Sequence, residues 1–369
     1  MADALLSRIV SNEVGLTVAD FSKHGTEPSF SIAAVAEALR NNTNVVRLHV
    51  GRGFIDDVGA SALSAMLMTN ATLTDLDINN NAVGPVGAAA LADALKGNAT
   101  LTRLSLYGNR VRDEGVEKLA AGLLVNTSLT IINLSYNGIG DVGAGHMSHV
   151  LRKNTPLKEL RMSFNDISCV GLGYLLKPLE KDNATLTRLH LSNNMLIDEE
   201  GLSLGLSRIG EMLAQNTTLK ALHMCNSGIV DDEVKLWVSA GNTTLEELGL
   251  RANSLYCPSL VLLLSGLVGL KDLDVGCNSI SNAGALAASE LLPSLPKLER
   301  LVIDGNDDHL EPEQLESAWM ASHRPAHDLI LKSPARGTRS TPIVDPNPLD
   351  PITQPRFHLC AAWYFCDAC

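Results

Sequence analysis

Apolar residues recur along this chain with a long period. From Leu73 the segment LTDLDINNNAVGPVGAAALADALKGNAT carries leucine-type residues at offsets 0, 3 and 5, an Asn at offset 8 and an aliphatic at offset 10. From Leu101 the segment LTRLSLYGNRVRDEGVEKLAAGLLVNTS repeats that arrangement at a spacing of 28. Self-similarity at this period is the signature of a solenoid. Within a unit the pattern changes character. The triple Leu73, Leu76, Ile78, repeated as Leu101, Leu104, Leu106 and Leu129, Ile132, Leu134, predicts a short strand. The spacing Ala88, Leu91, Ala94, Leu95 predicts the helix that follows. Strand starts fall at Val45, Leu73, Leu101, Leu129, Leu157, Leu186, Leu219, Leu245, Leu270 and Leu298. The step from Leu186 to Leu219 is longer, which predicts a lengthened helix; the next two steps are shorter and predict clipped ones.

Residues 1–44 read as a divergent N-terminal capping repeat, with Leu16 and Phe21 marking a first strand and Ile32, Val35, Ala36, Leu39 a helix. Terminal repeats diverge because they must cover an otherwise open core. Residues 45–309 hold about ten repeats, and 310–332 form a C-terminal cap with an amphipathic segment around Trp319. From residue 333 proline becomes dense without helical period, so 333–369 reads as a disordered tail.

The offset-8 asparagines are Asn81, Asn109, Asn137, Asn165, Asn194, Asn253, Asn278 and Asn306, with Gly53 and Ser227 standing in their place in two repeats. An amide side chain offers two donors and an acceptor, so this ladder is expected to satisfy turn backbone, with weaker turns at the two exceptions. Gly87, Gly115 and Gly143 are expected just before each helix, where the backbone must approach a neighbour or take positive φ.

Composition narrows function. The net charge of −12 argues against a general nucleic-acid binder. No basic region followed by a long apolar run opens the chain, and the longest apolar run is too short for a bilayer. The seven Cys have no regular spacing in the repeats, which suggests reduced thiols and a cytoplasmic, or nuclear, protein. The sequons at Asn70, Asn98 and Asn216 then read as by-products of the repeat.

The pattern L-x-x-L-x-L-x-x-N-x-(I/V)-x-x-x-G-(A)-x-x-L-x-x-x-L resembles the ribonuclease-inhibitor-like subclass of leucine-rich repeats over roughly residues 45–306. That resemblance implies an α/β horseshoe with a parallel sheet on the concave face and helices on the convex face. The subclass spans ribonuclease inhibitors, sensor domains of NOD-like receptors, Ran GTPase-activating proteins and actin-pole proteins. The turn Asn80-Asn81-Ala82-Val83-Gly84-Pro85-Val86-Gly87 looks like that of the Ran GTPase-activating proteins. The resemblance implies that Asn80 or Asn81 helps position a GTPase's own catalytic Gln. Ala82 replaces that family's Gly, and its long acidic tail is missing.

Offsets 2, 4 and 6 point away from the core and bring Arg103, Tyr107, Arg161, Arg188, His190 and His223 to the middle of the concave face. Asp75 and Asp77 flank them on one side, Asp272 and Asp274 on the other. A positive, aromatic-bearing centre suits an acidic protein surface, since Arg and Tyr are enriched at binding hot spots. His190, His223 and Cys225 would need further ligands to hold a metal, and none is assigned. In the tail, His358, Cys360, Cys366 and Cys369 have zinc-ligand chemistry, and the last four residues have prenylation form. Phosphate-loop, nucleophile-elbow and H-E-x-x-H signatures are all missing. The sequence thus points to a non-catalytic, cofactor-free scaffold that binds a protein through the concave face or rim. The alternatives are a GTPase-activating protein for a Ran-like GTPase and a ligand-sensing or inhibitor module acting in trans.

Overall fold

The computed structural model describes residues 2–22, 30–51, 55–153, 155–196, 204–307, 313–322 and 324–331. The strands are β1 (Val18–Asp20), β2 (Arg47–His49), β3 (Asp75–Asp77), β4 (Arg103–Ser105), β5 (Ile131–Asn133) and β6 (Glu159–Arg161). They continue as β7 (Arg188–His190), β8 (Ala221–His223), β9 (Glu247–Gly249), β10 (Asp272–Asp274), β11 (Arg300–Val302) and β12 (Leu329–Ile330). Every one pairs parallel to its predecessor in a single open sheet of sequential order. The helices are α1 (Ala2–Val10), α2 (Ile32–Leu39), α3 (Asp57–Leu67), α4 (Pro85–Gly97), α5 (Arg112–Leu123) and α6 (Asp141–Arg152). Then come α7 (Cys169–Lys181), α8 (Leu204–Gln215), α9 (Asp231–Ser239), α10 (Cys257–Gly266), α11 (Asn282–Leu291) and α12 (Glu313–Ala321). Sheet lines one face of the solenoid and helices the other.

The ten expected strand starts deliver β2 to β11. The N-terminal unit supplies β1, with Leu16 and Phe21 buried on either side of it, and the helix α1 that the pattern had not suggested. At the other end the apolar stretch after Asp328 becomes β12, and Trp319 of α12 is fully buried, its indole N–H donating to Pro325 O at 2.9 Å. The core between the layers is a column of leucines; Leu73, Leu76, Ile78 and Leu101, Leu104, Leu106 are all buried. α9 and α10 hold 9 and 10 residues, against 12 and 13 in α6 and α7, as the short steps require. The long step is different. α8 is described from Leu204 with 12 residues, and residues 197–203 before it, on which the expected lengthening falls, lie outside the described residues.

Strands of three residues leave many turn groups unpaired, and asparagines take them. Asn109 donates to Ile78 O, Leu106 O and Tyr107 O and accepts from Val83 N–H. All eight offset-8 asparagines make bonds of this kind; Asn81, for one, donates to Val50 O, Ile78 O and Asn79 O and accepts from Ile55 N–H. Ser227 manages one side-chain bond, to Cys225 O at 3.2 Å, while Gly53 lies outside the described residues.

A second ladder runs where each helix ends. Asn98 donates to Leu67 O and accepts from Thr100 N–H and Leu101 N–H. Asn42, Asn70, Asn126, Asn183, Asn216 and Asn242 do the same one unit apart, and all are buried. The sequons at Asn70, Asn98 and Asn216 thus arise from the repeat itself: their asparagines are buried and close the coil. From the second ladder to the first is always eleven residues, as in Asn70 to Asn81, Asn183 to Asn194 and Asn242 to Asn253.

A third device starts the helices. Asp57 accepts from Gly84 N–H and Gly87 N–H of the next repeat, Asp113 from Gly140 and Gly143, and Asp141 from Ser168 and Gly171. Gly87, Gly115 and Gly143 lie inside the first helical turn rather than before it. None has positive φ, and closeness is what excludes a side chain: a Cβ on Gly143 would sit 2.6 Å from Asp113 Oδ1. Pro85 occupies the position of these aspartates and has no carboxylate to give α5. Arg112 consequently turns its N–H to Asn137 O, at 3.1 Å, and takes φ +55° where Gly84 and Gly140 are extended.

Truncating a rung leaves buried carbonyls and amides without partners. Asn98→Ala and Asn109→Ala should each lower stability in urea by about 1–3 kcal/mol, and Leu104→Ala by about 2–5 kcal/mol. A rung variant as stable as the parent would remove the ladders from this account.

Candidate functional site

The concave-face residues divide into two groups that the sequence had merged. The first lies on β6 to β11. Arg188 on β7 reaches across β8 to Glu247 on β9 with both guanidinium nitrogens, at 2.8 and 2.5 Å, and it can do so because Ala221 is the residue between them. Arg161 bonds Glu159 at 2.5 Å, and Arg300 bonds Asp272 at 3.1 Å. Arg251 holds Asp274 at 3.2 Å and also Asp304. On β4, Arg103 stands 3.7 Å from Asp75. The expected positive centre is thus neutralised: each of its arginines faces a carboxylate on its own strand, on a neighbouring one or, for Arg188, two strands away.

Among these pairs His190 and His223 stack face to face, ring centroids 4.5 Å apart and planes 2° from parallel. Both border a cavity of about 280 Å³ that opens where Gly249 has no side chain. A Cβ on Gly249 would lie 2.6 Å from His223 Nδ1. Burial, then the neighbouring His223, Arg161 and Arg188, push His190 down to about 2, so it is neutral at pH 7. The stacked, parallel rings do not converge on a point between them, and among the described residues no three His, Cys, Asp or Glu side chains are arranged to hold a metal. Cys225 does not complete such a set. The tail's His358, Cys360, Cys366 and Cys369 lie outside the described residues.

Tyr107 belongs to the second group, on the edge where the strands end. Its ring stands 6.2 Å from Tyr136, which stands 6.3 Å from Phe164, so three successive repeats present one aromatic ridge. Tyr136 is 61% exposed. Tyr136 and Phe164 take φ of +57° and +54°, in a column otherwise filled by Asn80, Gly108, Asn193, Asn226, Ala252, Cys277 and Gly305. Bulky residues are rarely found in that conformation.

Two arginines border the ridge. Arg110 follows Gly108, whose N–H bonds Ser135 O beside Tyr136, and Arg112 bonds Asn137 O on its other side. Both are exposed, and neither has a carboxylate partner among the described residues. Sequence reasoning passed over Tyr136, Phe164, Arg110 and Arg112 because it followed the strand offsets. The signal was there at offset 7, where two aromatics stand in a column of positive φ that Asn, Gly, Ala252 and Cys277 fill elsewhere.

The two asparagines of the singled-out turn also part company. Asn81 is consumed by the ladder. Asn80 is exposed at φ +53°, with its amide leaning over Gly108, whose Cβ would be 2.5 Å from Asn80 Oδ1.

His190 makes the site acid-sensitive. Its folded value lies below the ordinary one, so its burial costs nothing above about pH 6.5 and is opposed below it, where only the unfolded imidazole gains a proton. Stability should fall by up to about 1.4 kcal/mol per pH unit more steeply in the parent than in His190→Gln. Urea midpoints from pH 7 to 5 check this, and parallel slopes would refute it.

Six segments, residues 69–92, 97–120, 125–145, 153–176, 182–204 and 270–287, match the family described as Leucine Rich repeat. No curated protein matches the chain in sequence. Among solved structures it is similar to an internalin (inlF) from Listeria monocytogenes, at 18% identity and TM-score 0.45, covering 90% of this chain and 89% of that one. It is also similar to leiomodin-1 actin-binding site 2, at 24% identity and TM-score 0.37, over 42% of this chain and 88% of that one. A third similarity is to TLR13 in a complex with ssRNA13, at 17% identity and TM-score 0.42, over 76% of this chain and 35% of that one. Repeats and parallel sheet together make the fold a leucine-rich-repeat solenoid.

Proposed function

We propose that this protein is a non-catalytic interaction scaffold whose principal contact is the edge ridge, Tyr107, Tyr136 and Phe164 with Arg110 and Arg112, and whose partner presents an acidic segment. One observation carries this reading: a row of tilted aromatic rings about 6 Å apart, two held in a left-handed backbone, lies beside two arginines that have no carboxylate partner among the described residues. Strained backbone costs about 1–3 kcal/mol per residue and tends to persist where a site uses it. Rigid aromatic rings and Arg are the side chains most often found at the energetic centre of an interface. The paired charges and cavity of the concave face adjoin the ridge and extend the footprint. They supply shape and hydrogen bonds rather than net positive field.

Affinity capture followed by titration with the captured partner tests it. Tyr136→Ala and Arg110→Glu should each weaken binding at least tenfold without moving the unfolding midpoint. Pro85→Asp leaves every ridge side chain in place but offers α5 the missing cap, so Arg112 should return to an extended backbone and binding should weaken as well. Unchanged affinity in all three variants would dismiss the ridge.

A second reading attaches to Asn80, whose exposed amide is free of the ladder that occupies Asn81. The likeness of its turn to that of Ran GTPase-activating proteins makes Asn80 the residue that would meet a GTPase's catalytic Gln. Single-turnover GTP hydrolysis by a Ran-like GTPase decides it. Acceleration at least hundredfold, lost in Asn80→Ala and kept in Arg161→Ala, is the expected signature, and no acceleration excludes it.

A further inference from the structure

The chain supplies a segment with the chemistry this ridge is built to take. Residues 341–355, TPIVDPNPLDPITQP, contain five prolines and two aspartates and no Lys or Arg. Extended proline-rich chain has three residues per turn, so Pro348 and Pro351 share one face, and such faces dock on rows of aromatic rings. Asp345 precedes those prolines and Asp350 lies between them, two carboxylates for the two cations, Arg110 and Arg112, that have no partner among the described residues.

Geometry allows the meeting. The described chain ends at Leu331, at the C-terminal end of β12, which is the same edge of the sheet that carries the ridge. From β12 to β5 are seven strand steps, about 34 Å at the usual spacing. The fourteen residues from Leu331 to Asp345 span about 43 Å when extended. The segment therefore reaches Tyr136 without crossing the solenoid, and tethering holds it there at high local concentration.

We propose that residues 341–355 of the chain's own tail seat on the ridge, Pro348 and Pro351 against the rings of Tyr107, Tyr136 and Phe164, and Asp345 and Asp350 facing Arg110 and Arg112. The proposal rests on the ridge being a binding surface and adds that the protein carries its own competitor. An external partner must displace the tail, so the apparent affinity is reduced by the fraction of molecules self-occupied.

Photo-cross-linking in the full chain tests this directly. Tyr136→p-benzoylphenylalanine is irradiated over a range of protein concentrations and digested with trypsin, which releases the segment as one peptide, residues 340–356. The expected result is a concentration-independent cross-link within one molecule to that peptide, reduced at least fivefold by Pro348→Ala with Pro351→Ala and by Asp345→Lys with Asp350→Lys. The same tail changes should tighten capture of an external partner. A cross-link that forms only between molecules would make a second copy the occupant and overturn the proposal, as would no cross-link to this peptide. If capture still depends on Tyr136 in that case, the scaffold reading stands and only the tail is removed. If capture is also indifferent to Tyr136, both fall.

Discussion

Parallel strands of three residues cannot by themselves satisfy the backbone that joins them, and the whole molecule is arranged around that shortage. Each turn of the coil leaves carbonyls and amides at two corners, one after the strand and one after the helix. A buried unpaired group costs about 1–3 kcal/mol, so a stack of twelve strands could not tolerate the shortage repeated at every unit. Asparagine resolves it at both corners because its amide donates and accepts at once. At a third corner, the starts of α4, α6 and α7, an aspartate from the preceding repeat accepts the free N–H groups. Side chains thus do between repeats what long ladders do in ordinary sheets, and the strands remain free to present almost every outward residue to one surface.

That surface is electrostatically self-contained over most of its area. Arginines and carboxylates alternate across β6 to β11 so that Arg188 with Glu247, Arg300 with Asp272 and Arg251 with Asp274 close on one another. The partly exposed pairs among them, Arg188 with Glu247 and Arg300 with Asp272, contribute little stability, but they settle where the field does not emanate. At the edge, Arg110 and Arg112 have no carboxylate partner among the described residues. The His190–His223 stack adds a tightly packed patch in the midst of the ion pairs, and the His223 ring with the Arg188 fork holds the Glu247 carboxyl down, to about 2.

Most of the fold was legible in the sequence because its determinants are periodic. Leucine offsets located ten strands, and the asparagine column located their turns. The second ladder was equally periodic but was read only as sequons that the repeat produces at Asn70, Asn98 and Asn216, and the bonds its asparagines make were not foreseen. The candidate site was legible only in part. Strand alternation tells which residues face outward, and it brought Arg161, Arg188, His190 and His223 together correctly. It cannot tell which outward charges meet, since Arg188 finds its partner two strands away across a small Ala221. Nor does alternation apply beyond the strand, where Tyr136 and Phe164 are aimed by left-handed backbone and Arg112 by the absence of a carboxylate at Pro85.

The constant interval of eleven residues between the two asparagine ladders has a consequence for how such a chain changes length. From Asn70 to Asn81, and from Asn183 to Asn194, the count never varies, because both ends of that stretch are clamped to the units on either side. The complementary stretch is elastic: Asn194 to Asn216 is longer than Asn81 to Asn98, yet Asn216 still bonds the preceding helix end at Leu179 O. Insertions and deletions are therefore absorbed on the helical side of the coil. The inner sheet and its edge keep their spacing, and new segments can be grafted behind them without disturbing what they display.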